Sequence, residues 1–395
     1  MKKLLKSRFV YAFLFFLLFA LILITPRVNI TAKAEDKAES QLNQSVIEQL
    51  EQLDLSELQK YVDSLGNFSD KSVSERLLDY VEGEPFDYQS FFKGILSVLL
   101  ENVTALFPSF ICVAAVALLC GILSSLKSNF IGKSTSDIIF LVGFISALIP
   151  TLAVLGECFL KAKTSVESMQ KQKQAEFPLL LTLMSASGGS VAAAIFRPAV
   201  AFLSTTIVSL IQSVVFPVTL TVIAFSIVGN LSTDIKVKKF SAFFKSINKW
   251  IIGVSISVFG VFFTIQGLSS ASYDGITRRA AKYAIGAGVP IIGGFLSGGF
   301  DLAVAGSILI KNSLGTFGIF MTISVVFEPL LLLIATNLLL RLTAAITEPL
   351  GESRISDFLG ETAENLNYCL AGLLFVAFLY LIVIVLIICS AEVIL

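Results

Sequence analysis

The chain has 395 residues, of which 55% are apolar and 15% charged, and its 29 Lys and Arg balance its 29 Asp and Glu. A soluble protein carries about a quarter charged residues, so this composition predicts a polytopic membrane protein. The chain contains no histidine, which excludes pairs of histidine with a serine or cysteine nucleophile as well as imidazole metal sites.

The first residues have the features of a secretory signal. A cationic segment, "MKKLLKSR", precedes the apolar run "FVYAFLFFLLFALILIT", which Pro26 ends. Ala32 and Ala34 then form a small-x-small site for signal peptidase. We predict a signal peptide over residues 1–34; an uncleaved signal anchor is the alternative, because the apolar run is long. Both interpretations place Glu35 and the residues after it outside the cytoplasm.

Residues 35–90 form the acidic region, with fourteen Asp and Glu against four Lys and Arg. The stretch "SVIEQLEQLDLSELQKYVDSL" has apolar residues at helical spacing, and "SVSERLLDYVEG" begins with a serine cap and a nearby glutamate. So few residues build little core alone. We expect an extracytoplasmic helical region that lies on the membrane surface or against a partner, with a solvated linker as the alternative.

The remaining chain is dominated by apolar segments, several of which reach the roughly 20 residues that cross a bilayer. We predict six transmembrane helices, near residues 108–126, 137–160, 217–231, 250–270, 329–343 and 368–390. The segments between them are predicted to be charged loops, among them 161–177, 271–289 and 344–367. The five cysteines lie in or beside apolar segments, which favours small buried side chains over a metal site or a disulfide framework.

Prolines and glycines recur at an offset near 110 residues, which predicts a tandem repeat. The recurring positions are Pro108, Pro217 and Pro329; Gly143 and Gly253; Pro178 and Pro290; and Gly189 and Gly299. We therefore divide the membrane region into a first unit at 91–216, a second unit at 217–328 and a C-terminal transmembrane region at 329–395.

Each unit contains an apolar run that Ser-Gly-Gly interrupts. Gly188 and Gly189 in the first unit, and Gly298 and Gly299 in the second, are predicted either to pack helices closely or to break them beside a cavity. Each run is expected to form a re-entrant or broken hairpin that turns at a basic residue, Arg197 or Lys311. The predicted fold is an all-α polytopic membrane protein of about six transmembrane helices plus these two hairpins.

Charges within apolar segments are costly unless they are paired or hydrated. They are Arg197, Asp301, Lys311, Glu328 and Arg341. One interpretation places them at hairpin tips and membrane interfaces, where Lys and Arg side chains extend toward water. The other pairs Arg197 with Asp301 along a polar pathway. No nucleotide or metal motif appears, and Asp301 lacks the spacing of an aspartyl protease, so we expect no enzyme and no cofactor.

The stretches "SASGGS", "VVFP", "YDGITRRAAKYAIGAGVPIIGG" and "LSGGFDLAVAGSILIKNSLG" resemble the stage III sporulation protein AE family of endospore-forming Firmicutes. The resemblance covers essentially the whole chain and is most specific from Gly267 to Gly315. It implies a subunit of the secretion-like channel complex, or feeding tube, that links mother cell and forespore and supports late forespore development. The family has no established catalytic residues, so none is transferred to this chain.

The resemblance also implies a location and partners. The protein would lie in the mother-cell-derived outer forespore membrane, with its N-terminal region in the intermembrane space. Its partners would be membrane lipid, the other membrane and ring-forming proteins of the complex and a separate ATPase, but no nucleic acid. From the residues alone, a stand-alone secondary transporter with internal repeats is the alternative.

Overall fold

The computed structural model describes residues 36–65, 71–82, 88–126, 133–232, 236–288, 293–349 and 353–389, and every regular element there is helical. Only the backbone is described for residues 265–288 and 293–301. The predicted cleavage site at Ala32 and Ala34 lies outside the described residues. The helices are Asp36–Gln52 (α1), Ser56–Leu65 (α2), Val73–Glu82 (α3), Tyr88–Leu126 (α4), Lys133–Ala186 (α5), Ser190–Leu210 (α6), Phe216–Leu231 (α7), Lys238–Gly288 (α8), Gly293–Thr347 (α9) and Ser353–Cys389 (α10).

The helices predicted in the acidic region are present as α1, α2 and α3. Asp54 lies between α1 and α2 and accepts a hydrogen bond from the Ser56 amide at 3.1 Å. Hydrogen bonds from Ser56, first from its hydroxyl, lower the pKa of the Asp54 carboxyl. At the start of α3, the Ser72 amide donates to Glu75 at 2.9 Å and the Glu75 amide donates to the Ser72 hydroxyl at 3.2 Å. This reciprocal capping box is the start signal expected from the sequence.

These three helices pack against the long helices, so the alternative of a solvated linker is wrong. Gln49 of α1 donates to the Ala303 carbonyl at 3.1 Å and accepts from the Ser307 hydroxyl at 2.8 Å. The Tyr80 ring of α3 stacks on Phe320 with ring centroids 6.2 Å apart. The acidic region therefore covers the first half of α9, and we call this the outer end of the molecule.

The long helices form six rods: α4, α5, α6 with α7, α8, α9 and α10. A π turn, Ile211–Val215, joins α6 to α7 without ending the helix. Rods α5 and α9 are antiparallel, whereas α5 and α10 run parallel, since Phe144 meets Phe358 and Phe177 meets Tyr380. Along α5, Cys158 meets Thr336 of α9 at 3.3 Å, whereas Gln172, further along the helix, donates to the carbonyl of the earlier residue Gly318 at 2.7 Å. Six helical stretches in the described residues are long and apolar enough to cross a membrane, which agrees with the predicted number.

Helices α9 and α10 are the centre of the bundle. In their most apolar windows 67% of residues are buried, against 22% to 44% in the other candidate spans. Glycines allow neighbours to approach α9 closely. A Cβ on Gly318 would lie 1.7 Å from the Glu176 carboxyl oxygen of α5, and one on Gly315 would lie 2.5 Å from Ile388 of α10. Contacts this short exclude any larger residue unless the neighbour moves.

Three of the predicted loops are helical. Residues 161–177 continue α5 without interruption, residues 271–288 are the last part of α8, and residues 353–367 form the first four turns of α10. The polar composition of these segments indicated loops. A helix, however, satisfies its own backbone hydrogen bonds whether its side chains face water, lipid or protein. The connection between α9 and α10 is limited to residues 348–352.

The two Ser-Gly-Gly segments differ. The first ends α5: Gly188 has a positive φ of 94° and donates to the Ser185 carbonyl at 3.2 Å, while the Gly189 amide donates to Met184 at 2.9 Å. This is a Schellman motif, and α6 begins directly after it. In the second copy, Gly298 and Gly299 lie inside the continuous helix α9.

The predicted hairpin turns at Arg197 and Lys311 are wrong, because each residue lies within a helix, α6 or α9. The first hairpin instead turns at the glycine pair. The repeat itself stays a prediction. Pro108, Pro217 and Pro329 do fall on α4, α7 and α9, which are alternate rods.

Candidate functional site

Exposed apolar side chains gather on the half of the bundle away from α1–α3, and we call this group the belt. Its members are Phe107, Ile111, Leu119, Ile122 and Leu123 of α4; Ile138, Leu141, Val142, Ile145, Ile149, Leu152 and Leu160 of α5; Leu220, Val228 and Leu231 of α7; Phe240, Phe243, Trp250, Val254, Val258 and Val261 of α8; and Leu338, Leu342 and Ile346 of α9. On α5 after residue 160 and on α10, no large apolar side chain among the described residues is exposed. The belt is therefore the lipid-facing part that the composition requires.

The polar beginning of α10 lies at the level of the belt. Phe358 of α10 contacts Phe144 of α5, with ring centroids 5.3 Å apart, and Phe144 is flanked by the belt residues Leu141 and Ile145. Ala363, further along α10, accepts from Asn337 of α9 at 2.6 Å. Residues 358–367 thus lie beside helices whose outer faces are apolar.

Polar side chains from four helices meet on this part of α10, and we call them the polar seam. Its members are Ser226, Asn230, Asn337, Arg341, Lys245, Glu361, Glu364 and Asn367. Ser226 and Asn230 of α7 donate to the Glu361 carboxylate, the latter at 3.2 Å. Lys245 of α8 approaches Glu364 at 3.8 Å. The seam links α7, α8, α9 and α10 through charged and amide groups.

Helix α9 contributes the other side of the seam. Asn337 donates to the Ala363 carbonyl and, at 3.3 Å, to the Asn367 side chain. Arg341 donates from Nε to Asn337 Oδ1 at 2.8 Å. The guanidinium is thereby held toward the middle of the helix and away from the end of α9.

Two buried side chains of α10 beside the seam lack hydrogen-bond partners. Among the described residues, neither amide atom of Asn365 nor the Thr362 hydroxyl has one, although both residues are fully buried. Buried polar groups are almost always satisfied by protein or by ordered water. Thr362 and Asn365 therefore make the centre of the belt half polar.

Such an arrangement fits a hydrated path or a polar assembly surface. A single charge at the centre of a bilayer helix costs about 3 kcal/mol on insertion scales. The described residues hold no group of three His, Cys, Asp or Glu side chains that could bind a metal ion. The seam consists of charged and amide groups, which can solvate a polar solute or water.

The structure places the predicted intramembrane charges in different surroundings. Arg197 is exposed on α6, and the fully buried Lys311 donates to the Ile388 carbonyl at the end of α10, at 2.7 Å. Glu328 pairs with Lys161 of α5 at 2.8 Å. The Asp301 side chain lies outside the described residues, so its proposed pairing with Arg197 stays a prediction.

Sequence reasoning found Arg341 but missed Glu361, Glu364 and Asn365, because it assigned residues 344–367 to a loop. A signal was available. Thr362, Asn365 and Cys369 follow Phe358 at helical spacing, which is typical of one face of a helix. Because several residues on that face are polar, the segment was not recognised as part of the same helix as the apolar segment that follows.

A second buried polar cluster lies in the outer half of the bundle. Gln172 donates to Glu176 at 2.8 Å and accepts from Thr322 at 3.1 Å, and all three residues are buried. Tyr61 of α2 places a buried hydroxyl near this carboxyl, and the buried hydroxyl of Tyr380 of α10 lies near Tyr61. Burial, with Glu176 as a smaller cause, raises the pKa of the Tyr61 phenol. This cluster joins α2 of the acidic region to the central helices.

Most of the amino-acid sequence matches known proteins. The family model described as stage III sporulation protein AE matches residues 72–391, from α3 to the end of α10. The stage III sporulation protein AE of Bacillus subtilis (strain 168) is 26% identical over 376 residues, which cover 92% of this chain and 94% of that protein. No solved structure matches the chain significantly.

Proposed function

Because the chain belongs to the stage III sporulation protein AE family, we propose that it is an integral membrane subunit of the secretion-like channel complex that links mother cell and forespore. It is a multi-pass membrane protein of sporulation, with six candidate membrane-spanning helices. In this proposal the protein acts in the mother-cell-derived outer forespore membrane and supports late forespore development.

The observation that supports this role most strongly is the polar segment of α10 enclosed at the level of the belt. A protein that only anchored partners would need no buried Asn365 or Thr362 there, since apolar side chains would pack at lower cost. The acidic helices α1–α3 lie at the outer end, where partners in the intermembrane space would meet them. Ring-forming proteins and a separate ATPase would complete the complex.

The direct test depletes the protein in an endospore-forming host that carries this gene. We expect heat-resistant spores and the activity of a late forespore-specific reporter to be lost, and a fluorescent fusion to surround the engulfed forespore. Normal spore counts after complete depletion would contradict the proposal. Glu361→Gln, in the seam, is expected to lower the spore count, whereas Ile149→Leu, a matched change on the lipid-facing side of α5, is expected to be silent.

The unpartnered polar groups at belt level also favour a second candidate, a stand-alone secondary transporter. The purified chain reconstituted alone in liposomes separates the two. Solute flux without partners supports the transporter and overturns the subunit role. Liposomes that remain impermeable to the solute support the subunit role, because transport through the complex would need its other components.

A further inference from the structure

We propose that the polar seam, with the adjacent Asp357, faces a second copy of this chain and not lipid, and that Arg341 of each copy pairs with Asp357 of the other. This interface adds to the proposed function and does not depend on it. The inference rests on Arg341 and Asp357, which are exposed at the level of the belt and have no ionic partner among the described residues.

The first observation is the exposure of charge where the surrounding surface is apolar. Arg341 and Asp357 are both exposed, and neither has an ionic partner among the described residues. Glu364 has 46% of its side chain exposed, although Lys245 approaches it at 3.8 Å. The belt residues Leu338 and Leu342 lie on the same helix as Arg341. Charges at this level that met lipid would be strongly unfavourable.

The second observation excludes the simplest alternative for Arg341 and Glu364, in which their side chains extend to water at the end of the helices. Arg341 Nε is bound to Asn337, one turn deeper in the belt, so the guanidinium does not extend toward the end of α9. Glu364 lies eleven residues after the start of α10, or about 16 Å along the axis. A glutamate side chain is too short to span that distance to the interface.

The third observation is that the exposed charges lie close together. Asp357, Gly360, Glu364 and Asn367 follow one another at helical spacing, so they share one face of α10. The Ser356 hydroxyl donates to the Ala344 carbonyl at 2.9 Å, which puts the levels of Asp357 and Arg341 within about a turn of each other. The patch therefore contains both a cation and an anion at similar depth.

The two signs of charge favour a second copy over a partner of one sign. A two-fold contact presents the same patch on both sides, so residue i meets residue j and residue j meets residue i. Arg341 of one copy can then meet Asp357 of the other twice in the same interface. A basic or an acidic partner would satisfy only one of these residues and leave the other charge in the membrane.

Cysteine crosslinking in membranes tests the interface with the full chain. The exposed natural cysteines are removed by Cys112→Ala and Cys389→Ala, and one cysteine is introduced by Arg341→Cys, Asp357→Cys or Glu364→Cys. The matched control is Ile149→Cys, on the exposed side of α5. With a short bismaleimide we expect a several-fold excess of covalent dimer at a seam position over the control. No dimer at any of the three positions, with monomer present in the membrane, overturns the proposal.

Charge reversal tests the pairing with the Glu364→Cys reporter. Arg341→Asp and Asp357→Arg are each expected to abolish the crosslink, because like charges then face each other. The double variant is expected to restore the crosslink. Failure of the double variant to restore it, with Ile149→Leu as a silent control, overturns the assignment of this pair.

The same chains are expressed in a host that does not sporulate, so the result is independent of the proposed function. A dimer in that host, together with normal spores after depletion, would leave the interface standing and remove the channel role. The reverse outcome would keep the channel role and remove the interface.

Discussion

The belt half and the outer half of the bundle share helices such as α5, α9 and α10, but arrange polarity in opposite ways. In the belt half the outside is apolar and the α10 segment at the centre is polar. In the outer half, α5 exposes polar residues such as Lys163, Glu167 and Lys171, while α10 residues 373–387 are mostly buried. The most apolar segment of the chain thus lies against protein, which shows that hydropathy does not identify the lipid-facing side of a helix.

The strongest way to test the packed outer half is to add one carbon atom at its centre. Gly318→Ala would place a Cβ where the Glu176 carboxyl lies and would disturb its bond to Gln172. We expect a loss of about 1–3 kcal/mol in unfolding free energy, the usual cost of overpacking. Thermal unfolding in detergent measures it. Gly156→Ala, whose Cβ would meet nothing within 4 Å, should be neutral or stabilising.

The same substitution, Thr to Val, is expected to change the free energy of unfolding in opposite directions in the two halves. Thr322→Val removes a hydroxyl that bonds to Gln172 at 3.1 Å and to the Gly318 carbonyl at 2.9 Å, so it should destabilise the protein by about 1–2 kcal/mol. Thr362→Val removes a hydroxyl that has no hydrogen-bond partner among the described residues, and it should raise stability by about 1 kcal/mol. Two melting temperatures that shift the same way would contradict the contrast between the halves.

The two Ser-Gly-Gly copies offer a smaller contrast. Gly188→Ala forces a residue with a Cβ into a positive φ and should cost about 1 kcal/mol. Gly298→Ala lies in a continuous helix and should gain up to about 1 kcal/mol from helix propensity. The free energy of unfolding of each single variant, measured against the parent chain, checks the predicted loss and the predicted gain. Equal losses at both positions would mean that the second copy also breaks its helix.

The smallest effect is expected on the exposed surface of the acidic region. Lys60 and Glu57 form an ion pair at 2.7 Å, but both side chains are more than two-thirds exposed. Exposed pairs contribute little because solvent screens them. Lys60→Ala should leave the melting temperature and spore formation unchanged. A clear loss of either would show that a partner binds there.

The sequence sufficed for the class of the protein, the number of long helices and the helices of the acidic region, because those follow from hydrophobic periodicity and capping residues. The sequence did not predict how far each helix is shifted along the bundle axis relative to its neighbours. Residues 353–367 carry enough charge to resemble a loop, and only contacts such as Phe144 with Phe358 place them beside the belt. The positions of Glu361 and Asn365 depend on four helices that are distant in sequence.

The buried Lys311 has a consequence for how the chain is made. Its ammonium group bonds to the carbonyl of Ile388, which is synthesised 77 residues later and lies at the end of the last helix. Until that turn of α10 arrives, a charged lysine in the middle of α9 is without this acceptor. The outer half therefore completes its core only when translation has reached Ile388. A product that ended before Ile388 would lack this acceptor and would expose the apolar surface that the last turns of α10 cover, and a membrane protease could recognise it as unfinished.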